Sequence, residues 1–294
     1  MGLDELRTMI TRRVHDGRLA ALDGVMVSQV AHPSAPEVST SGVVFALIAQ
    51  GAKSLALGDR VYEYRAGQYL VASVDLPVTG QFTEARPDRP AIGFGLVLRP
   101  QVIAALLLDA AAGDIQVHGR STAPPPGIAV SDASGELVDA VVRLLRLPEH
   151  PRDLPILAPM IEREILWRLI TSEQGATVRQ LGLADSSLAH IGRAVRWIRD
   201  HHAETIRVGE LARLSGMSVS AFHRNFQAVT AMSPIQFQKQ IRLQQARILL
   251  IAGPGDIAGV GHAVGYESAS QFSREYRRQF GTPPGRHAAS LRAG

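Results

Sequence analysis

V-G-E-L-A-R-L-S-G-M-S-V-S-A-F-H-R-N-F-Q-A-V-T-A-M-S-P, from Val208 to Pro234, returns later in the chain as I-A-G-V-G-H-A-V-G-Y-E-S-A-S-Q-F-S-R-E-Y-R-R-Q-F-G-T-P-P, from Ile257 to Pro284. The turn glycines Gly216 and Gly265 stand 49 positions apart. One extra residue in the second turn, Glu267, lengthens the spacing to 50, so that Phe222 matches Phe272, Arg224 matches Arg274, Phe226 matches Tyr276 and Pro234 matches Pro284. Apolar, glycine, arginine and proline positions recur together, which chance does not readily produce. Each copy reads as two helices about a tight turn, over 208–230 and 257–280. Two such units on one rigid body would set two recognition helices into successive major grooves of double-stranded DNA, about 34 Å apart.

In the first copy Val208, Leu211 and Ala212 make the buried stripe of the scaffold helix, with Ala212 and Gly216 small where the two helices cross closely. Ser218 caps the recognition helix, and Phe222 and Phe226 face the core. That leaves Ser220, Ala221, His223, Arg224 and Gln227 outward. In the second copy Asp256 is the cap, Phe272, Tyr276 and Phe280 are core, and Ala269, Ser270, Ser273, Arg274 and Arg277 face out. Arginine and histidine donate to guanine edges or phosphates, serine reads either partner, and alanine meets a thymine methyl. A solvated side chain is the plain alternative at each position. Arg224 and Arg274 stand apart because they share one outward place. Ser233-Pro234 open a connecting helix through Leu250, closed by G-P-G at Gly253 to Gly255. Ahead of the first copy, a helix from His190 to His201 turns Ile191, Ala194, Val195 and Ile198 inward. His201 and His202 fall at its C-terminal end, where positive charge is tolerated. Neighbours on a helix diverge by about 100°, which argues against a shared metal.

The charge follows the repeat. The chain carries a formal +4 over 294 residues; Leu188 to Gly294 holds 14 Arg and Lys against 6 Asp and Glu, while Met1 to Ser187 holds 17 against 21. The basic surplus therefore lies where phosphate neutralisation needs it. Cysteine is absent, which removes disulfides, thiolate zinc sites and thiol redox sensing. No apolar run approaches the roughly 18 residues of a membrane span, since Val102 to Leu108 is broken by Asp109. The N-terminus, M-G-L-D-E-L-R-T, has no apolar signal core, so a cytoplasmic protein associated with the bacterial nucleoid is expected.

Residues 3–18 read as a short amphipathic helix. From Gly24 to Leu98 the period becomes that of strands: V-M-V-S-Q-V, V-V-F-A-L-I-A-Q, S-L-A-L, R-V-Y-E-Y, Q-Y-L-V-A-S-V, V-T-G-Q-F-T-E and A-I-G-F-G-L-V-L. Gly51, Gly58-Asp59, Gly67, Pro77 and Pro87 to Pro90 punctuate them, a spacing that suggests a sandwich or small barrel. Helical patterns follow at Val102, Leu106 and Leu107, then at Leu137, Val141, Leu144 and Leu145. Another carries Leu157, Ile161, Ile165 and Leu169, starting near Pro159 because proline suits a first turn. That last stripe is either a dimer surface or intradomain core. Thr122 to Gly127 is a loop, and the first domain ends at T-S-E-Q-G-A-T-V-R-Q-L-G.

The second half resembles the AraC/XylS-type DNA-binding domain: two helix-turn-helix units, a connecting helix, and an F-S-R-x-[FY]-x-x-x-F-G-x-x-P ending at Pro284. The stretch from Gly51, G-A-K-S-L-A-L-G-D-R-V-Y-E-Y-R-A-G-Q-Y-L-V-A-S-V-D-L-P-V-T-G, is similar to the N-terminal domain of one subgroup of those regulators. Ala231 stands where the family usually has glycine, Gly261 where it has alanine, and His287-Ala288 where it has Tyr-Arg. The last departure weakens a phosphate contact by the extreme C-terminus. The resemblance implies an α+β chain with a cupin-like β-barrel and helices over 1–182, a linker over 183–189, and an all-α DNA-binding domain over 190–294. It further implies a sequence-specific transcriptional regulator, a homodimer, a small-molecule effector in the barrel, and RNA polymerase as a partner if it activates.

An enzyme on that barrel is the rival class. Metal cupins need His-x-His with Glu on adjacent strands, whereas this strand region has only His32, followed by Pro33, and His118 comes later. No G-x-S-x-G, H-E-x-x-H or phosphate loop occurs, so neither catalysis nor a metal or cofactor is expected. Gly93 and Gly95 lie inside a strand pattern and signal a bulge or close packing. A nonspecific architectural DNA binder, a third class, would not need a barrel. Val44, Ala46, Ile48, Tyr62, Tyr64 and Tyr69 are candidate wall residues, with the phenols of Tyr62, Tyr64 and Tyr69 orienting an effector. Otherwise these tyrosines are packing residues of a filled barrel.

Overall fold

Period-two alternation builds the first part of the chain into two antiparallel sheets. The computed structural model describes residues 2–14, 21–113, 115, 124–252 and 256–293. It divides into two compact units, Met1–His190 with Ala228–Ala231, and Ile191–Gln227 with Met232–Gly294. In the first, helix α1 (Leu3–Arg13) precedes strands β1 (Val25–Val30), β2 (Glu37–Thr40), β3 (Val44–Gln50), β4 (Ala52–Leu57), β5 (Arg60–Arg65), β6 (Gln68–Ala72), β7 (Pro77–Glu84) and β8 (Ala91–Val97). Helix α2 (Pro100–Ala112), strand β9 (Ile128–Asp132) and helices α3 (Gly135–Arg146), α4 (Leu154–Ile170) and α5 (Gly175–Gly182) follow. The sheets run β1-β8-β3-β6-β9 and β2-β7-β4-β5.

Alternation along the five-stranded sheet decides what each side chain meets. Phe45, Leu47, Tyr69, Val71, Ile92 and Phe94 join Leu6 and Ile10 of α1, Val141 and Leu145 of α3, and Ile165 and Leu169 of α4 in one apolar core. Phe45 sits at its centre, its ring 5.5 Å from that of Tyr69 and 6.1 Å from that of Phe94. The intervening residues Val44, Ala46, Ile48 and Leu70 line a cavity on the opposite face of the sheet. Gly93 and Gly95 are close-packing glycines. A Cβ on Gly93 would stand 2.9 Å from Ser28 Oγ and one on Gly95 3.1 Å from Met26 Cε, both on the paired strand β1. A bulge in β3 between Ile48 and Gln50 lies opposite Ile92 and Gly93.

The structure corrects several expectations. Strands β2 and β9 were not legible in the sequence: E-V-S-T and I-A-V-S-D are short, and they form by pairing with β7 and β6. Helix α4 starts at Leu154, not near Pro159. Pro155 takes the first-turn place, and Pro159 sits inside the helix. Its stripe is mainly core, with Ile165 and Leu169 fully buried, whereas Ile156 and Met160 are 68% and 60% exposed. The stretch taken as the domain's end is helix α5. A Cβ on Gly182 would come within 2.8 Å of Ile103 and 2.9 Å of the Ala104 backbone, so this glycine marks close approach to α2. Helix α6 (Ser187–Asp200) begins inside the stretch 183–189, ahead of His190. The Ser186 hydroxyl accepts from the Ala189 amide at 3.0 Å and caps that first turn. Residues 15–18, His118, Thr122 and the G-P-G at 253–255 lie outside the described residues.

After α6 come α7 (Val208–Leu214), α8 (Val219–Thr230), α9 (Pro234–Ala252), α10 (Ile257–Ala263), α11 (Ala269–Phe280) and α12 (Pro284–Ala293). The caps act as read: Ser218 Oγ accepts from Ala221 N, and Asp256 accepts from Ala258 N and Gly259 N. Ser233 and Gln236 bond reciprocally at the start of α9, a capping box. Gly216 and Gly265 hold φ of 63° and 88° at the two turns. Ala231 takes φ 58° where the second unit has Gly281 at 73°, a left-handed position that costs a non-glycine residue about 1–2 kcal/mol. His201 stacks on Trp197 at 4.4 Å, and His202 Nδ1 lies 2.9 Å from the Arg199 carbonyl. Among the described residues no group of His, Cys, Asp and Glu could hold a metal, and no helix is long and apolar enough to cross a membrane.

Candidate nucleic-acid interface and effector cavity

Phe222 and Phe226 anchor one side of α8 with no exposed surface. At about 100° per residue, Ser220, His223, Arg224 and Gln227 then fall on the outer side, and all four are exposed. Ala221 is half-buried. On α11 the buried Phe272 and Tyr276 leave Ser270, Arg274 and Arg277 exposed, with Ala269 and Ser273 half-buried. The Ser270 hydroxyl lies 2.9 Å from that of the capping Ser268. Arg224, Arg274 and Arg277 make no ion pair with any described residue. Arg278 does the same one turn after Arg274; it was legible as the i+4 partner of that residue. His287 faces inward, its Nδ1 3.1 Å from the Tyr276 hydroxyl, and Ala288 is buried.

Helix α9 fixes the second helix-turn-helix unit. Arg242 donates to the carbonyls of His202 at 2.6 Å, Gly265 at 2.7 Å, Glu204 at 2.9 Å and Ala203 at 3.2 Å. Gln238 adds bonds to the His202 and Glu204 carbonyls. Lys239 pairs with Glu275 at 3.0 Å, and the Tyr266 hydroxyl donates to the same carboxylate at 2.9 Å. Burial works against the charge on Glu275, but these two donors hold its carboxyl below the ordinary carboxylate range. With 19 residues, α9 is about 28 Å long at 1.5 Å per residue.

A cavity of about 270 Å³ lies between the faces of the two sheets. Val44, Ala46, Ile48 and Tyr64 line it as expected. Tyr62, two residues along β5, is half-buried and lies outside the wall. Tyr69 points the other way, into the helical core, and its hydroxyl lies 2.9 Å from Ser172 Oγ. Position 69 is in phase with Val71 and out of phase with the cavity-lining Leu70. Lys53 of β4, absent from the sequence-based set, lines the cavity as well. Burial pulls its ammonium below the ordinary lysine range, partly opposed by Glu37. Burial pushes the Tyr64 phenol up.

Known proteins match both halves. The AraC-type transcriptional regulator N-terminus matches residues 21–177, more than half of the chain, and a helix-turn-helix domain matches residues 211–290. The HTH-type transcriptional regulator ExsA of Pseudomonas aeruginosa is 30% identical over 169 residues, covering 57% of this chain and 59% of ExsA. The virulence regulon transcriptional activator VirF of Yersinia enterocolitica is 27% identical over 170 residues, covering 56% and 60%. The chain thus spans about three fifths of the length of the curated relatives it matches. A structure of ToxT from Vibrio cholerae superposes with a TM-score of 0.56 at 9% identity, covering 92% of this chain and 99% of ToxT, a likeness of fold. ToxT has also been solved with an unsaturated fatty acid bound. By these matches the chain belongs to the AraC-type transcriptional regulators and carries their helix-turn-helix domain.

Proposed function

We propose that the chain is a sequence-specific DNA-binding regulator of transcription whose two recognition helices, α8 and α11, read adjacent major grooves. The observation that carries this is the pair Arg224 and Arg274, equivalent in the repeat, both exposed and free of ion pairs with described residues. Ser220, Ala221, His223 and Gln227 on one helix, and Ala269, Ser270, Ser273 and Arg277 on the other, complete the contact set. Residues 190–294 form the DNA-binding part and 1–182 the part that binds effector and dimerises. Such a regulator works in the cytoplasm on the nucleoid and, as an activator, contacts RNA polymerase. Alanine at either Arg224 or Arg274 should cost about 1–3 kcal/mol on the specific site if the contact is bidentate to guanine. Binding selection followed by titration of each variant checks it. Unchanged affinity and sequence preference in both would defeat the reading.

A small molecule in the sheet cavity controls this activity. Support comes from the concave, mostly apolar wall with a few polar groups, the usual make-up of a ligand site. The dimer forms through the exposed side of α4, where Ile156, Leu157 and Met160 lie apart from the buried Ile165 and Leu169. Ile156→Glu with Met160→Glu should give a folded monomer by sedimentation, whereas Ile165→Glu should fail to fold. A double variant with the wild-type mass would rule out this surface.

A further inference from the structure

The cavity holds one cation in an unusual setting. In the β2-β7-β4-β5 sheet, Lys53 pairs in register with Phe82 of β7 on one side and Tyr64 of β5 on the other. Paired residues put their side chains on one face with Cβ atoms about 5 Å apart, so the three form a transverse row. All three line the cavity. Lys53 Nζ sits 5.0 Å from the Phe82 ring centroid and makes no ion pair within 4.0 Å with any described residue. Tyr64 is 2% exposed, and its hydroxyl makes no hydrogen bond with any described residue. Burial works against the charge of the half-buried Lys53 ammonium, and Glu37 offsets that only in part. Met26, Val44, Ile48, Leu55, Leu70 and Val78 supply an apolar part of the wall, and Ser28, Ser39, Thr40 and Ser41 add hydroxyl groups. Lys53 is the one charged residue of the wall among those described.

We propose that the cavity takes a compact amphipathic monocarboxylate, its carboxylate held by the Lys53 ammonium and the Tyr64 hydroxyl and its apolar body packed among the aliphatic side chains. A carboxylate in the cavity would accept from both donors, and charge-assisted bonds of this kind are stronger than neutral ones. A cavity of about 150 Å³ admits benzene, so 270 Å³ suits one ring with a short tail or an aliphatic chain of similar bulk. This proposal rests on the effector reading above and names its ligand class.

Full-length protein is titrated calorimetrically with benzoate, 3-phenylpropanoate and octanoate, each beside its amide and its amine. At least one acid should bind about tenfold or more tightly than its amide, and the amines should not bind. Lys53→Met should reduce the acid to the affinity of the amide and leave the amide unchanged. Lys53→Arg should keep the preference for the acid, and Tyr64→Phe should weaken the acid alone. Because Lys53→Met removes a desolvated charge, its unliganded melting midpoint should match or exceed the wild type, which keeps the variant interpretable. The proposal is overturned if no acid binds, if an amide or amine binds as well as its acid, or if Lys53→Met keeps the acid's affinity within twofold. Acid binding that leaves operator affinity unchanged would instead defeat the control reading and spare this one.

Discussion

Gly265→Ala should destabilise the second helix-turn-helix unit by about 3 kcal/mol or more and abolish its share of DNA binding. Two effects add. Gly265 holds φ 88°, a left-handed conformation that costs an L-residue about 1–2 kcal/mol. Its Cβ would also fall on the Ala203 carbonyl oxygen and within 2.8 Å of two further backbone atoms of that residue. Backbone cannot rotate away as a side-chain tip can, so the turn must move, at about another 1–3 kcal/mol. Gly281 separates the two effects: it holds φ 73° with nothing within 4 Å of an added Cβ. Gly281→Ala should therefore show the conformational cost alone. Urea unfolding of both variants measures the difference, and equal losses at the two sites would remove the packing explanation.

The turn glycines were legible from sequence because each is a local requirement, fixed by the chain's own conformation. The same holds for Ser218, Ser233 and Asp256, whose capping bonds reach only two or three residues ahead. Strands β2 and β9 were not, because runs of only four or five residues become strands when β7 and β6 supply partners. The cavity wall failed for a related reason. Alternation says that Tyr62 and Tyr64 share a face, but the phase of β6 relative to β5 depends on how the sheets stack. That phase sends Tyr69 to the helices. Lys53 was within reach of the same logic. It lies in phase with Leu55 and Leu57 along A-K-S-L-A-L, both buried, and that pattern places a lysine among inward-facing residues.

Arg242→Met should cost about 3 kcal/mol in the stability of the DNA-binding half while leaving the salt dependence of DNA binding unchanged. From sequence, Arg242 counts toward the basic surplus that faces phosphate. In the structure its guanidinium is turned inward onto four backbone carbonyls, of His202, Ala203, Glu204 and Gly265. Hydrogen bonds from a charged group are worth about 1.5–3 kcal/mol each, but four bonds from one fork are not additive, and some of the freed carbonyls will find water. Methionine keeps much of the stem's packing and removes the donors, so the loss reports the bonds. Arg242→Lys should recover only part of it, since one ammonium cannot span carbonyls that a planar fork reaches together. Arg278, by contrast, is exposed and without an ion pair to any described residue. If it meets phosphate, Arg278→Ala should lower the slope of log affinity against log salt by about 1 and barely alter unfolding. Melting curves and salt titrations of the two variants give opposite patterns on this account. A lowered salt slope with unchanged stability in Arg242→Met would show that the guanidinium faces DNA after all, and that the turn joining α6 to α7 is held by something else.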